Sequence, residues 1–341
     1  MLYRNDRDMK KIAVIILNWN GEGMLREYLP SIVSHTPAGI ADVIVADNGS
    51  TDSSLQYLAD TFPHIRVLPF GENLGFAEGY NKAVDSLRDE YEYVVLLNSD
   101  VKVTDDWLTP LYEFMEAHPD AGAAQPKIKS LTHPDRFEYA GACGGFLDRH
   151  GYPYCRGRIF DTVEPDNGQY DTPLRIFWAS GAALMVRTEL YISCGGLDKA
   201  FFAHMEEIDL CWRILLAGKE IWAVPSAAVY HLGGGSLPSS SPRKTYLNFR
   251  NNLLMLHKNL PNGVRRGLLF RRRLLDTAAW FRFMLAGDIS NASAILRAHR
   301  DFRSMRSQYT SHPKENLLNG DVNILFDYFI RARKLYSQLR N

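Results

Sequence analysis

The sequence predicts an α/β protein with a mostly parallel central sheet flanked by helices, followed by a helical C-terminal extension. Three observations carry this. Short apolar runs end abruptly in polar tips, as in Val94-Val95-Leu96-Leu97-Asn98-Ser99-Asp100, the pattern of strands buried on both faces. Such runs alternate with helical segments of about ten residues, which implies strand–helix–strand units. Beyond Pro242 the texture changes to long helical patterns rich in Arg.

In chain order, residues 12–17 form the first apolar, β-branched strand, and Asn18-Trp19-Asn20-Gly21 is a loop. Residues 22–34 have helical spacing through Met24, Leu25, Tyr28, Leu29, Ile32 and Val33. A second strand, 42–46, opens into Asp47-Asn48-Gly49-Ser50-Thr51-Asp52. A helix at 53–61, a strand at 65–69, a helix at 76–87 and the strand at 94–97 follow. Residues 105–117 read as helix and 122–128 as strand. From 135 to 172, Gly, Pro and aromatic residues without helical spacing predict hairpins and loops. Residues 176–186 read as a strand around Gly181, 205–216 as a helix, and 220–224 and 227–230 as two short strands. The natural division is a domain over 1–245 and a basic helical extension over 246–341.

The chain has 341 residues, enough for one large α/β domain plus an appendage. Its 46% hydrophobic and 23% charged content is that of a soluble globular protein. The net charge of +0 hides an asymmetry: from Tyr246 onward, 17 Lys/Arg oppose 6 Asp/Glu, so the tail is +11 and the remainder −11. Cys143, Cys155, Cys194 and Cys211 form no C-x-x-C pair, which argues against zinc and a disulfide framework and for a reducing cytoplasm. The N-terminal MLYRNDRDMKK lacks an apolar signal core, and no uninterrupted apolar stretch of about 18 residues predicts a spanning helix.

Polar groups recur at the carboxyl ends of successive strands: Asn18-x-Asn20, Asp47-Asn48-Gly49-Ser50 and Asn98-Ser99-Asp100. Each alone is ordinary turn chemistry. Together at one sheet edge they make a binding site, because ligands of open parallel sheets sit outside the strand carboxyl ends. Asp47 suits a base imide or ribose hydroxyl, and helix N-termini beyond these loops favour anionic groups. Asp100 either caps its loop or holds a hard divalent cation able to neutralise a diphosphate. Asn73-Leu74-Gly75-Phe76-Ala77-Glu78-Gly79-Tyr80-Asn81 adds a tight loop entering a helix, where Gly75 and Gly79 serve either close ligand approach or helix–sheet packing.

A second cluster is Phe201-Phe202-Ala203-His204-Met205-Glu206-Glu207-Ile208-Asp209, leading to Arg213. Acids suit a helix N-terminus through its dipole, yet a carboxyl amid Phe, Met and Ile has a raised pKa and suits a general base. Asp209 and Arg213 stand i,i+4 and can pair to orient the helix. His231, before Gly233-Gly234-Gly235-Ser236, is a candidate ligand for a borderline ion such as Mn²⁺.

These residues, in this order, resemble the inverting family 2 glycosyltransferases of the Rossmann-like GT-A fold, closest to the bacterial rhamnosyltransferase-like branch. The matching segments are Val14-Ile15-Ile16-Leu17-Asn18-Trp19-Asn20, Val45-Ala46-Asp47-Asn48-Gly49-Ser50-Thr51-Asp52, Asn73 through Asn81, and Leu97-Asn98-Ser99-Asp100. Ser180-Gly181-Ala182 with Arg187, the acidic pair, Val229 through Ser236 and Arg250-Asn251 complete the set, over residues 12 to about 255. The resemblance implies a sugar moved from a nucleoside-diphosphate donor (UDP- or dTDP-linked, with rhamnose among the candidates) to a saccharide or lipid-linked saccharide. It implies nucleotide-sugar contacts from Asn18, Asn20, Asp47, Asn48, Gly49, Ser50, Asn73, Gly75, Asn81 and Asn98. It implies a divalent metal, Mn²⁺ or Mg²⁺, on Asp100 and His231, a catalytic base from Glu206-Glu207, and Trp178 and Asp209 on the acceptor side beside the 135–172 wall. The pair is Glu-Glu where the family usually has Glu-Asp, so Glu207 is the base by alignment and Glu206 remains open. Asn98 replaces the first acid of a full D-x-D, which leaves fewer charges for the metal.

Residues 264–286 set Arg265, Arg266, Arg271, Arg272 and Arg273 beside Leu268, Phe270, Leu274, Trp280 and Phe281. This is either an amphipathic face for anionic lipid or a solvated face of a packed appendage. No nucleic-acid recognition fold is expected. The expected protein is a cytoplasmic transferase, peripheral at the inner face of the plasma membrane, serving polysaccharide or cell-wall biosynthesis. The alternatives are a sugar nucleotidyltransferase, which would need a basic Gly-rich first loop, and a non-catalytic binding protein on a degenerate scaffold.

Overall fold

A computed structural model describes residues 11–233, 241–310 and 313–340. Most of the polar N-terminal stretch, and Gly234, Gly235 and Ser236 of the glycine loop, lie outside these. Strand β1 (Ile12–Asn18), helix α1 (Glu22–His35), β2 (Ala41–Asp47), α2 (Ser54–Thr61), β3 (Arg66–Pro69), α3 (Gly75–Leu87) and β4 (Tyr93–Leu97) alternate as expected. There follow β5 (Val101–Val103), α4 (Thr109–Ala117), β6 (Ala121–Ser130), β7 (Gly145–Leu147), β8 (Pro153–Cys155), β9 (Arg158–Ile159) and β10 (Thr162–Val163). Then come β11 (Leu174–Ile176), β12 (Ala183–Arg187), α5 (Thr188–Ser193), α6 (Glu206–Leu216) and β13 (Glu220–His231). The C-terminal helices are α7 (Pro242–Asn259), α8 (Asn262–Leu285), α9 (Ile289–Met305) and α10 (Ile324–Phe329).

Among the described residues the central sheet has nine strands, in the order β11-β13-β6-β12-β4-β1-β2-β3, with β5 on β13. Its β4-β1-β2-β3 part is parallel, while β12 lies antiparallel between β4 and β6. Strand pleating splits the apolar runs between two cores. Ala13, Ile15, Val94 and Leu96 face one buried cluster; Ile12, Val14, Ile16, Tyr93, Val95 and Leu97 face the other. The 135–172 region folds into a separate four-stranded sheet, β10-β9-β8-β7, without a helix.

Three boundaries differ from expectation for local reasons. Helix α4 starts at Thr109 rather than 105, where Pro110, lacking an N–H, fits the first turn. The expected 176–186 strand is two, because Trp178 bridges to Gly145 and the Ser180 N–H donates to Gln125 Oε1 at 2.9 Å instead of to a ladder. The two short strands at 220–230 are one, β13, bulged between Val224 and Ala228 around Pro225, which has no donor for the ladder. The expected division after residue 245 falls inside α7, whose Leu253, Leu254, Met255 and Leu256 share a buried cluster with Trp212 and Leu184.

Candidate active site

Parallel pairing sets Asn18 opposite Asp47 at the carboxyl ends of β1 and β2. Asn18 Nδ2 donates to Asp47 Oδ1 and to Ser50 Oγ, both at 3.1 Å, and the Ser50 N–H donates to Asp47 Oδ2 at 3.0 Å. Asn20 Oδ1 accepts from the Thr51 N–H at 2.7 Å, which ties the two loops together. Gly49 has φ +76°, and a Cβ there would fall 2.6 Å from the Glu72 backbone, so only glycine fits. Asn18 Oδ1 is buried without a hydrogen-bond partner and lies against Gly21, where a Cβ would meet it at 2.5 Å.

Asn48 extends this network to the next loop. Its Nδ2 donates to Asn73 Oδ1 and Gly75 O at 3.1 Å, and its Oδ1 accepts from the Leu74 N–H at 3.0 Å. Gly75, at φ +79°, packs beside the Phe202 ring: a Cβ there would lie 3.4 Å from it. Asn81 is not brought to this edge. It secures Leu197, donating to its carbonyl at 2.7 Å and accepting from its N–H at 2.8 Å, with the Tyr191 hydroxyl also donating to it.

At the end of β4, Asn98 donates through its backbone to Ala182 O at 3.0 Å, and its side chain reaches His231 Nε2 at 3.4 Å. His231 Nε2 lies 3.1 Å from Asp100 Oδ1. On the other side of the ring, Nδ1 faces Glu138 Oε2 at 3.6 Å, an ion-pair distance too long for a hydrogen bond. Burial works against the charged imidazole, but the hydrogen bond to Asp100 and the nearby charges of Asp100 and Glu138 outweigh it and raise the pKa to about 10. Burial likewise raises Asp100, yet His231 outweighs this and holds the carboxyl below its usual range.

Two ligand atoms bound to one ion at about 2.1 Å and roughly right angles stand about 3 Å apart. The separation of Asp100 Oδ1 and His231 Nε2 therefore fits a shared divalent cation once the imidazole is neutral. Glu138, 3.6 Å from Nδ1, stands where a carboxylate would orient a metal-bound imidazole. Among the described residues no group of three or more His, Cys, Asp or Glu forms a closed cage.

Glu206 and Glu207 open α6, and each has a buried Oε2 without a hydrogen-bond partner. Burial raises both carboxyls, Glu207 to about 7; the neighbouring Glu207 charge raises Glu206 further. Glu206 is buried, whereas Glu207 is only half-buried. A Cβ at Gly181 would meet Phe76 at 3.6 Å and Glu207 Cβ at 3.7 Å, so the turn preceding β12 lies against Glu207. The approach to α6 is strained: Phe202, His204 and Met205 all have positive φ, at 66°, 68° and 73°. Each such residue costs about 1–3 kcal/mol. Helix α7 holds this loop, because Asn251 Nδ2 donates to Phe201 O, Ala203 O and His204 O at 2.9, 2.8 and 2.7 Å. Arg250 Nη2 adds donations to Ala200 O and Phe201 O.

Two residues expected on the acceptor side are held in the interior instead. Asp209 is fully buried, accepting from Arg213, Lys258 and Asn259 at 2.9, 2.9 and 2.7 Å. Trp178 is buried against Gly145, and its Nε1 donates to Phe146 O at 3.0 Å. Both have packing roles because every polar atom engaged is already matched inside the fold. Sequence reasoning missed Glu138, which no motif marks and which only the 135–172 hairpins bring to His231. It named Arg250-Asn251 and Phe202 without a role.

Residues 13–170 match the model of Glycosyl transferase family 2. The chain is 28% identical over 232 residues to N-acetylglucosaminyl-diphospho-decaprenol L-rhamnosyltransferase of Mycobacterium tuberculosis, covering 64% of this chain and 75% of that protein. It is 27% identical over 231 residues to rhamnosyltransferase WbbL of Escherichia coli, covering 64% and 83%. In fold it is similar to GalNAc-T7, solved with UDP, GalNAc and Mn²⁺, at a TM-score of 0.57 and 16% identity. That alignment covers 75% of this chain and 49% of the other, so this chain spans about half of that structure. The matched region contains the whole Asn18–Asp47–Asp100 edge, so over residues 13–170 the chain carries a segment matching Glycosyl transferase family 2, and it is similar to rhamnosyltransferases in sequence and to a glycosyltransferase in fold.

Proposed function

We propose that the enzyme transfers one sugar, with inversion at the anomeric carbon, from a UDP- or dTDP-sugar to a saccharide or lipid-linked saccharide during cell-surface polysaccharide synthesis. The observation that carries this is the acidic pair: a half-buried Glu207 with a free Oε2 and a pKa raised to about 7, at the sheet edge that also carries Asp47 and Asp100. The relatives' names support rhamnose as the sugar and a diphospholipid-linked saccharide as the acceptor.

In this reading Glu207 takes the proton of the attacking acceptor hydroxyl, since a carboxylate near the working pH is an efficient base. Glu206, the more deeply buried, stays protonated and keeps a second charge away from its neighbour. Asn18, Asp47 and Ser50 bind the base and ribose. Asn48, Asn73 and Gly75 shape the wall beside them. Asp100 and His231 would hold a Mn²⁺ or Mg²⁺ ion, with Asn98 alongside and Glu138 steadying the imidazole. When bound, the ion supplies the positive charge that stabilises the departing nucleoside diphosphate.

A membrane surface is the second part of the proposal. Phe270, Leu274, Phe281 and Leu285 are 63%, 58%, 56% and 89% exposed and repeat at helical spacing along α8, opposite the buried Leu268, Arg272 and Asp276. Arg266, Arg271, Arg273 and Arg282 flank this stripe, as anionic headgroups require. Among the described residues no helix is long and apolar enough to cross a membrane.

The site is tested by thermal unfolding with UDP and dTDP, each with and without Mn²⁺, for wild type and Asp100→Ala. A ligand at 100 times its dissociation constant adds about 2.7 kcal/mol. A metal-dependent shift with one nucleotide, absent in the variant, is expected; no shift with either removes both donors from consideration.

A further inference from the structure

Phe201 and Phe202 are adjacent and opposite in fate. Phe201 is fully buried; Phe202 is 46% exposed. Phe202 has φ 66° and ψ −57°, and the Ala203 N–H donates to Phe201 O at 2.8 Å, so Phe202 is the centre of a γ-turn of the strained, positive-φ kind. An aromatic residue is a poor occupant of such a turn, and an exposed one returns little burial to offset the strain. The turn is nonetheless secured from α7: Asn251, fully buried, donates to carbonyls on both sides of it. The ring is also fixed in place, with its edge against Gly75 and the Arg243 guanidinium 5.1 Å from its centroid. It thus stands between the Asn73-Leu74-Gly75 loop and the Glu206-Glu207 pair, four and five residues before those carboxyls.

We propose that Phe202 is an aromatic platform for a pyranose ring, packing against the apolar C–H face of the sugar while its hydroxyls remain free for polar contacts. This rests on the glycosyl-transfer reading above. The sugar is either the donor's transferred residue or the acceptor's terminal one. Both present the same face, and the turn sits between the groups assigned to each.

The test compares wild type, Phe202→Gly and Phe202→Tyr in the full chain. Glycine accepts the positive φ without strain, so Phe202→Gly should keep or raise the melting temperature while removing the ring. Affinities are measured with Mn²⁺ for dTDP and dTDP-L-rhamnose and for UDP and UDP-N-acetylglucosamine. Transfer is measured to a short-chain N-acetylglucosaminyl diphospholipid. Phe202→Gly is expected to leave nucleoside-diphosphate affinity unchanged. A rise of about tenfold in the nucleotide-sugar dissociation constant assigns the platform to the donor; the same rise in the acceptor KM assigns it to the acceptor. Phe202→Tyr should restore the wild-type value in either case. Unchanged sugar affinity and acceptor KM overturn the platform alone. A fallen melting temperature with equal losses for nucleotide and nucleotide sugar also overturns it, as the ring is then structural. Failure of the wild type to bind either nucleotide overturns the donor reading, and the platform with it.

Discussion

His231 lies 3.1 Å from Asp100 across 131 residues of chain because β13 runs antiparallel to β5, with His231 directly opposite Val101. The contact is therefore set by strand register, and a shift of one residue would turn the imidazole to the other face of the sheet. Replacing either partner should remove the Mn²⁺-dependent part of nucleotide binding. His231→Ala is expected to lower kcat by about 10²-fold or more, the scale of losing one charge-stabilising contact. Transfer assays over a Mn²⁺ titration check this; an unchanged metal requirement would reject the pair as ligands.

Glu207→Gln should abolish transfer while nucleotide affinity is retained, because the base acts on the acceptor. Glu206→Gln should be milder. In the wild type, kcat should rise with pH through about 7, where Glu207 loses its proton. The same raised pKa has a stability consequence. A carboxyl whose folded pKa lies above its unfolded value contributes stability that is full below the unfolded pKa, near 4.5, and is lost as pH climbs through the folded value. Glu207→Gln should therefore gain in melting temperature over wild type as pH rises from about 4.5 to 7. A constant difference across that range would count against the raised pKa.

Asp209→Ala should be among the most destabilising single changes, by about 3–5 kcal/mol, because it leaves Arg213 without its buried counter-charge and Lys258 with Asp198 alone. Chemical denaturation measures it directly. The loss should appear as global destabilisation rather than as a change in acceptor KM alone, since Asp209 joins α6 to α7 instead of facing substrate.

Leu274→Ser combined with Phe281→Ser should weaken sedimentation with vesicles containing about 30% anionic lipid while leaving the melting temperature within about 0.5 kcal/mol of wild type in stability terms. Equal sedimentation of wild type with neutral and anionic vesicles would remove the Arg flank from the account, and no sedimentation with either would remove the surface altogether.

Gly49→Ala places a Cβ 2.6 Å from the Glu72 backbone at φ +76°, so it should both destabilise the chain and weaken nucleotide binding. A binding titration by calorimetry, set beside a melting curve, separates the two effects.

The strands, their polar ends and the family resemblance are local features of the sequence. Apolar runs such as 94–97 and 12–17 are local patterns whose period of two and abrupt polar endings need no partner to be read. The strand-end residues Asn18, Asp47 and Asp100 were legible for the same reason, since in a parallel sheet the end of a strand is itself a position in the site. Only the tertiary structure decided how long-range neighbours use their polar atoms. Glu138 reaches His231 from a hairpin region with no motif, Asn251 secures the strained turn at Phe202 from a later helix, and Asp209 and Trp178 are matched inside the fold. A residue's type and spacing limit what it can bond. Which partner it finds depends on burial and on contacts between segments far apart in the chain, and those exist only once the sheet and helices have assembled.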